Sequence, residues 1–277
     1  MPNLRIIHRN DIDQATSLSA STTSGSLAAA LMQNNDRKGE AHRSTGTSVT
    51  YTATWTAGVT LGAVALPATN LTSAATMRVR LYNATSGGTL LLDTGTGPAC
   101  PGLSAAPWTW TAAFDANAFA YGYLSKAVAW FAATAGVKRA VIDLVDTGNP
   151  AGFIDCARIV AGPWWAPTWN AEYDGLSTTL VDNTTNTRND AGDLPSDRAP
   201  VHQELTLRLP MLPEADRSQL AQIMRANGVW KPIFLSLMPA AGTAAEQDHM
   251  VYGKRQNSAF DSPGFARYAH TMTLESW

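Results

Sequence analysis

The chain has 277 residues, 45% of them hydrophobic and 15% charged, with a formal net charge of −2. That length suits two domains of about 100–150 residues each, and with no basic cluster larger than a pair such as Lys254-Arg255 the chain lacks the sustained positive charge that nucleic acid would require. Charge this sparse, against roughly 25% in typical soluble domains, leaves a Thr-, Ser-, Ala- and Asn-rich surface that suits burial in an assembly.

In chain order, residues 4–7 predict a short strand, Ser17 to Gly25 an irregular Ser/Thr-rich stretch, and Leu27–Gln33 a short helix ended by Asn34-Asn35-Asp36. Short strands then follow at intervals of roughly 8–12 residues, the spacing of a sandwich or barrel. They are Ser48–Thr56, Ala63–Leu66, Thr76–Asn83, Thr89–Asp93, Trp108–Ala113, Ala127–Ala132, Ala140–Asp146 and Phe153–Ala161. Gly87-Gly88 between two of them signals a hairpin, because two residues free at positive φ permit the turns that match strand twist. Eight antiparallel strands suggest a jelly roll over residues 37–165.

Gly162-Pro163-Trp164-Trp165-Ala166-Pro167 is a stiff aromatic crossing to a second domain, residues 166–277. Residues 171–199 are polar and read as a surface loop or an arm that orders on a partner. In residues 201–212, Gln203, Leu205, Leu207 and Leu209 alternate with His202, Glu204, Thr206 and Arg208, the period of a half-buried strand. Pro213 then opens a helix at the position where proline costs nothing. Glu214 and Asp216 suit its positive start, Leu220, Ile223 and Met224 form its buried stripe, and Asn227-Gly228 supplies a left-handed stop. Strands over 232–238, His249–Lys254 and Phe265–Glu275 follow, separated by a loop at Ala240–Gln247, with Tyr268, His270, Met272 and Leu274 sharing a face. The fold class is therefore mainly β with one or two short helices: a β-sandwich or jelly roll plus a split β-barrel domain with a flanking helix.

Candidate chemistry is thin. Asp93-Thr94-Gly95 and Asp146-Thr147-Gly148 repeat the triplet of paired-carboxylate proteases. They lie too close in sequence for a two-lobed enzyme, and Asp-Thr-Gly behind a strand is also an ordinary turn. His202 and Glu204 share a strand face without a readable third ligand, so no metal is predicted. Gly-x-Ser-x-Gly, a phosphate-cradling loop and a dinucleotide fingerprint are absent from the sequence. The expectation is no enzyme, no cofactor and no metal.

Six tryptophans, 108, 110, 130, 164, 165 and 169, could offer indole faces to pyranose rings or pack in a core or interface. Trp164, Trp165 and Trp169 are the candidate glycan or interface contacts. The only cysteines, Cys100 and Cys156, lack metal-ligand spacing and do not form a disulfide scaffold, which fits folding in a reducing cytoplasm. The N-terminus lacks the pattern of a signal peptide, and no run reaches the ~18 apolar residues of a membrane span.

The segment Leu205–Leu209, the helix over 213–227, 229–238, Tyr252-Gly253 and Thr271-Met272-Thr273-Leu274-Glu275 resembles the split-barrel domains of tailed-phage tail-tip components, especially distal tail proteins. Arg78-Val-Arg-Leu-Tyr82, Val141-Ile-Asp-Leu144 and Phe153–Ile159 look like a galactose-binding-type or discoidin-like jelly roll. The resemblance implies a structural virion protein of the tail tip or baseplate, made in the host cytoplasm. It would form a homo-oligomeric ring, hexameric in preference to trimeric, with tail-tube, hub and fibre proteins as partners. Distal tail proteins commonly begin with the ring-forming barrel, whereas here the jelly roll comes first. Residues 1–12 would then be a strand that completes the C-terminal barrel, or the chain would be a different baseplate component. The alternative is a carbohydrate-binding or receptor-recognition module of a virion with a host glycan as ligand.

Overall fold

The computed structural model describes residues 2–34, 37, 39–102, 125–199, 201–264 and 267–276. It is mainly β, with antiparallel sheets and two α-helices among the described residues, Glu214–Asn227 and Ala244–Asp248. Among the described residues no helix is long and apolar enough to cross a membrane. Contacts divide the chain into two compact units, residues 1–166 with 233–250, and residues 167–232 with 251–277.

The first unit is built on two long strands, Ser48–Thr69 and Ser125–Val145, paired antiparallel from Ser48↔Val145 to Thr69↔Ser125. The sequence reading divides each of them into two short strands. The division falls where Thr56, Ala57 and Gly58 on one strand and Ala135 and Gly136 on the other are exposed and the apolar pattern lapses. Register shifts between Thr54 and Val59 and again before Ala63 carry the ladder through this stretch, since an extra residue on one strand bends and twists it. Gly58 and Gly136 permit the bend: a Cβ on Gly58 would lie 3.0 Å from the Gly136 Cα, and Gly136 has φ +74°. Both halves of the ribbon feed one core, where Tyr51, Trp55, Leu61, Leu66, Ile142 and Leu144 are buried together. The result is a sandwich.

Further strands extend it. Thr76–Tyr82 pairs with residues 139–145 and with Leu90–Asp93. The hairpin expected at Gly87-Gly88 is present, but its connection spans residues 83–89. Asn83 N–H donates to the Thr89 carbonyl at 3.2 Å and Thr89 N–H to Asn83 Oδ1 at 2.8 Å, with Gly87 and Gly88 at φ +58° and +80°. Ser17–Ala20, expected to be irregular, is a strand on residues 51–54. Leu18 alone carries its apolar period while Ser17 faces solvent, too weak a signal against a Ser/Thr background. The helix expected at Leu27–Gln33 shrinks to a 3-10 turn, Ala29–Met32, and Phe153–Ala161 to the two-residue strand Asp155–Cys156 and the start of Val160–Gly162. The strand expected at Trp108–Ala113 lies outside the described residues. Arg5–Ile7 pairs with Trp164–Trp165 on one side and with Ile233–Ser236 on the other. That second ladder groups residues 233–250 with the N-terminal part, although the sequence reading assigns them to the C-terminal domain.

In the second unit Val201–Leu212 pairs with Arg267–Ser276, placing Leu205 opposite Leu274, Leu207 opposite Met272 and Leu209 opposite His270. All six are buried. Residues 253–255 pair with residues 274–276, and Phe260–Gly264 with residues 267–270. The half-barrel so formed carries the helix Glu214–Asn227. Its ends match the sequence signals, since Pro213 precedes it at φ −58° and Gly228 closes it at φ +57°, donating to the Met224 carbonyl at 2.9 Å. The buried stripe is Leu220, Ala221 and Ile223, with Met224 at its edge. The polar stretch 171–199, expected to be a loop or arm, instead holds the strand Ser177–Asp182 on Val201–Thr206 and a small ladder of Thr185–Asn186 with Ser196–Asp197. Thr and Val supply strand propensity there without the burial that a sequence pattern detects.

Candidate functional site

Three segments of the first unit converge on one aromatic cluster. Pairing sets its membership: Arg5 stands opposite Ser236 and Ile7 opposite both Phe234 and Trp164. Directly paired residues of an antiparallel ladder share a face, so Arg5, Ile7, Trp164, Phe234 and Ser236 lie on one side of this small sheet. Trp130, from the long strand Ser125–Val145, meets them there, its ring 6.5 Å from Trp164 in an edge-to-face contact and 6.2 Å from Phe234. Trp164 is oriented by its indole N–H, which donates to the Phe131 carbonyl at 3.1 Å. Gly62 gives the ring room: a Cβ there would lie 2.9 Å from Trp164 Cδ1.

Arg5 covers this pair. Its guanidinium carbon is 4.4 Å from the Trp164 ring centroid and 5.3 Å from that of Trp130. A cation over an indole gains about 0.5–1 kcal/mol when exposed and about 2 when desolvated. Among the described residues the guanidinium makes no hydrogen bond and no ion pair, and burial lowers its pKa from the usual value. Arg5 is half-buried, and among the described residues the indole nitrogen of Trp130 and the hydroxyl of Ser236 are buried without a partner. The cluster therefore combines apolar ring surface with an excess of donors. It can pack against an apolar face and bind acceptors.

Of the sequence candidates, only Trp164 belongs to this cluster. Trp165 pairs with Ile6, so it projects to the opposite face and is 7% exposed. Adjacent strand residues alternate, and the two indoles do not form one platform. Trp169 belongs to the second unit and is 58% exposed, next to Thr168, whose N–H donates to Asp216 at 2.6 Å. Trp108 and Trp110 lie outside the described residues. Arg5 had no sequence signal beyond a single charge in an apolar run, and Trp130 was one tryptophan among six.

The other sequence constellations are engaged in structure. Asp93 accepts from Gly95 N–H at 2.9 Å, with Gly95 at φ +68°, as an ordinary turn would, and it pairs with Arg78, which holds its carboxyl far below the usual range. Asp146, 1% exposed, accepts from Thr72 N–H at 2.8 Å, Thr72 Oγ1 at 2.7 Å and Asn149 Nδ2 at 3.1 Å. His202 lies 3.6 Å from Glu275, and among the described residues no three His, Cys, Asp or Glu groups converge. On the outer face of the sandwich Arg80 Nη2 and Thr50 Oγ1 both donate to Asp143, at 2.7 and 2.8 Å.

No family model matches the chain, and no curated protein does. Solved structures with a likeness to part of it include a mutant of the lectin binding domain of lectinolysin complexed with Lewis b, at 13% identity and TM-score 0.35 over 55% of this chain and 95% of that one. The chitosan-binding module 1 of a chitosanase/glucanase from Paenibacillus sp. IK-5 matches at 14% identity and TM-score 0.37, over 56% and 98%. The family 32 module from C. perfringens NanJ in complex with galactose matches at 9% identity and TM-score 0.37, over 58% and 99%.

Proposed function

We propose that this chain is a non-catalytic recognition protein whose N-terminal unit binds a saccharide at Trp130, Trp164 and Arg5. The observation that carries the reading is the half-buried indole pair capped by an arginine with no acceptor among the described residues. The C–H face of a pyranose packs on such rings, and hydroxyl or ring oxygens accept from the guanidinium. The test is an array of immobilised glycans probed with the full chain. Selective retention that weakens at least about tenfold, or about 1.4 kcal/mol, in Trp130→Ala and in Trp164→Ala supports the reading. No retained glycan, or retention that both variants leave unchanged, overturns it.

A second reading, a ring or baseplate subunit of a phage tail tip, draws on the second unit. Trp169, Leu180, Leu194, Val201, Met211 and Trp230 are all exposed there, and Ser177–Asp182 ends the sheet with no further strand on its outer side among the described residues. Exposed apolar side chains and an open strand edge favour association. The two readings are compatible in one polypeptide. Mass measurement in solution decides the second: a closed oligomer supports it, and a monomer that binds no tail component removes it.

A further inference from the structure

We infer that the ligand of the Trp130–Trp164–Arg5 cluster carries a negative charge, and that Arg5 is the residue that reads it: the structure assigns this site to an acidic saccharide bearing a carboxylate. The inference rests on the saccharide reading above and specifies it.

Three observations lead to it. The guanidinium carbon stands over the Trp164 ring, 4.4 Å from its centroid, so the cation is held on the indole face by a contact that uses none of its five N–H donors as a conventional hydrogen bond. Ser236, directly opposite Arg5 on the ladder, has a hydroxyl that could accept from it, yet that hydroxyl is buried without a partner. No Asp or Glu among the described residues pairs with Arg5, although Arg9, Arg43, Arg78, Arg80 and Arg158 each have one. Arg5 is thus a half-buried cation held over two indoles, with no acceptor hydrogen-bonded to it among the described residues. A neutral hydroxyl accepts a single hydrogen bond from such a group, whereas a carboxylate accepts two parallel, charge-assisted N–H bonds from it and binds more strongly.

The test compares glycans that differ only in a carboxylate, 3′-sialyllactose against lactose and glucuronate-terminated against glucose-terminated oligosaccharides. Binding is measured by calorimetry on the wild-type chain and on Arg5→Gln, Arg5→Lys and Trp164→Ala. The expected result is at least about tenfold tighter binding of an acidic member, an advantage that falls with added salt. It disappears in Arg5→Gln and is partly kept in Arg5→Lys, which retains the charge but loses the planar fork. Trp164→Ala weakens both members of the pair. Equal binding of acidic and neutral members by the wild type, or full acid preference in Arg5→Gln, overturns the inference while leaving the saccharide reading in place. Failure of both members to bind overturns the two together. Should Arg5→Gln not fold, the salt dependence of the wild type and the Arg5→Lys comparison still decide the matter.

Discussion

Trp164 rests against Gly62, and the closeness of that approach sets where the indole can stand. A Cβ at residue 62 would lie 2.9 Å from Trp164 Cδ1 and 3.1 Å from its ring nitrogen, so Gly62→Ala must displace the ring or the strand beneath it. The nearest atoms belong to a side chain, which can move more cheaply than backbone. The expected result is a modest stability loss of about 1–3 kcal/mol, a changed near-ultraviolet circular dichroism spectrum and weaker glycan binding. A Gly62→Ala chain with wild-type spectrum and binding would show that ring placement does not depend on this contact.

Gly162 and Gly253 are less forgiving, because backbone fills the space a side chain would need. A Cβ on Gly162 would lie 1.9 Å from the Arg9 carbonyl oxygen, and one on Gly253 2.0 Å from that of Glu275. Each alanine substitution is expected to cost about 3 kcal/mol or more, at or above the upper end of the usual overpacking range. Gly46, with open space around it, serves as the near-neutral control. Denaturant midpoints for the three variants check the ranking.

His42 makes the sandwich sensitive to acid. Its Nε2–H donates to the Thr22 carbonyl at 2.9 Å and its Nδ1 lies 2.9 Å from the Tyr51 hydroxyl, which donates to the ring when the imidazole is neutral. Burial lowers its pKa from the usual value, as it does for His8 and His270. Above the ordinary imidazole pKa of about 6.5 neither folded nor unfolded chain holds the proton. Below it the unfolded chain binds more protons, so stability falls as pH falls. The melting temperature is expected to drop between pH 7.5 and 5.5, and His42→Gln to show a smaller drop. An equal drop in the variant would remove His42 as a source.

Cys100 and Cys156 are both free and buried, and burial pushes each thiol up to about 12. The thiolate is the reactive form. Folded protein at neutral pH is therefore expected to resist a thiol reagent such as 5,5′-dithiobis(2-nitrobenzoate), with both groups reacting once guanidinium unfolds it. Rapid reaction of the native chain would contradict the burial of these residues.

The legibility of this chain follows the range of each interaction. The helix Glu214–Asn227 was readable because proline, acidic first turn and Asn-Gly stop are local, and Leu205, Leu207 and Leu209 because alternation is local too. The two long strands were not, because bulges and exposed glycines at residues 58 and 136 interrupt the pattern while the ladder continues. The candidate site was legible only through Trp164. Arg5, Trp130 and Ser236 come from segments far apart in sequence, and no spacing announces their meeting. The division of Trp164 from Trp165 follows from strand alternation alone once the pair is placed in a strand.

The most direct measurement of the central claim is the set of tryptophan indole N–H signals in a ¹⁵N-correlated spectrum of the full chain, recorded with and without the strongest glycan from the array. Binding at the proposed site shifts the Trp130 and Trp164 signals, assigned by single substitution, and leaves that of Trp55, buried and bonded to the Asp11 carbonyl at 2.8 Å, in place. Shifts confined to Trp169 or Trp230, or no shift on saturation, would contradict it.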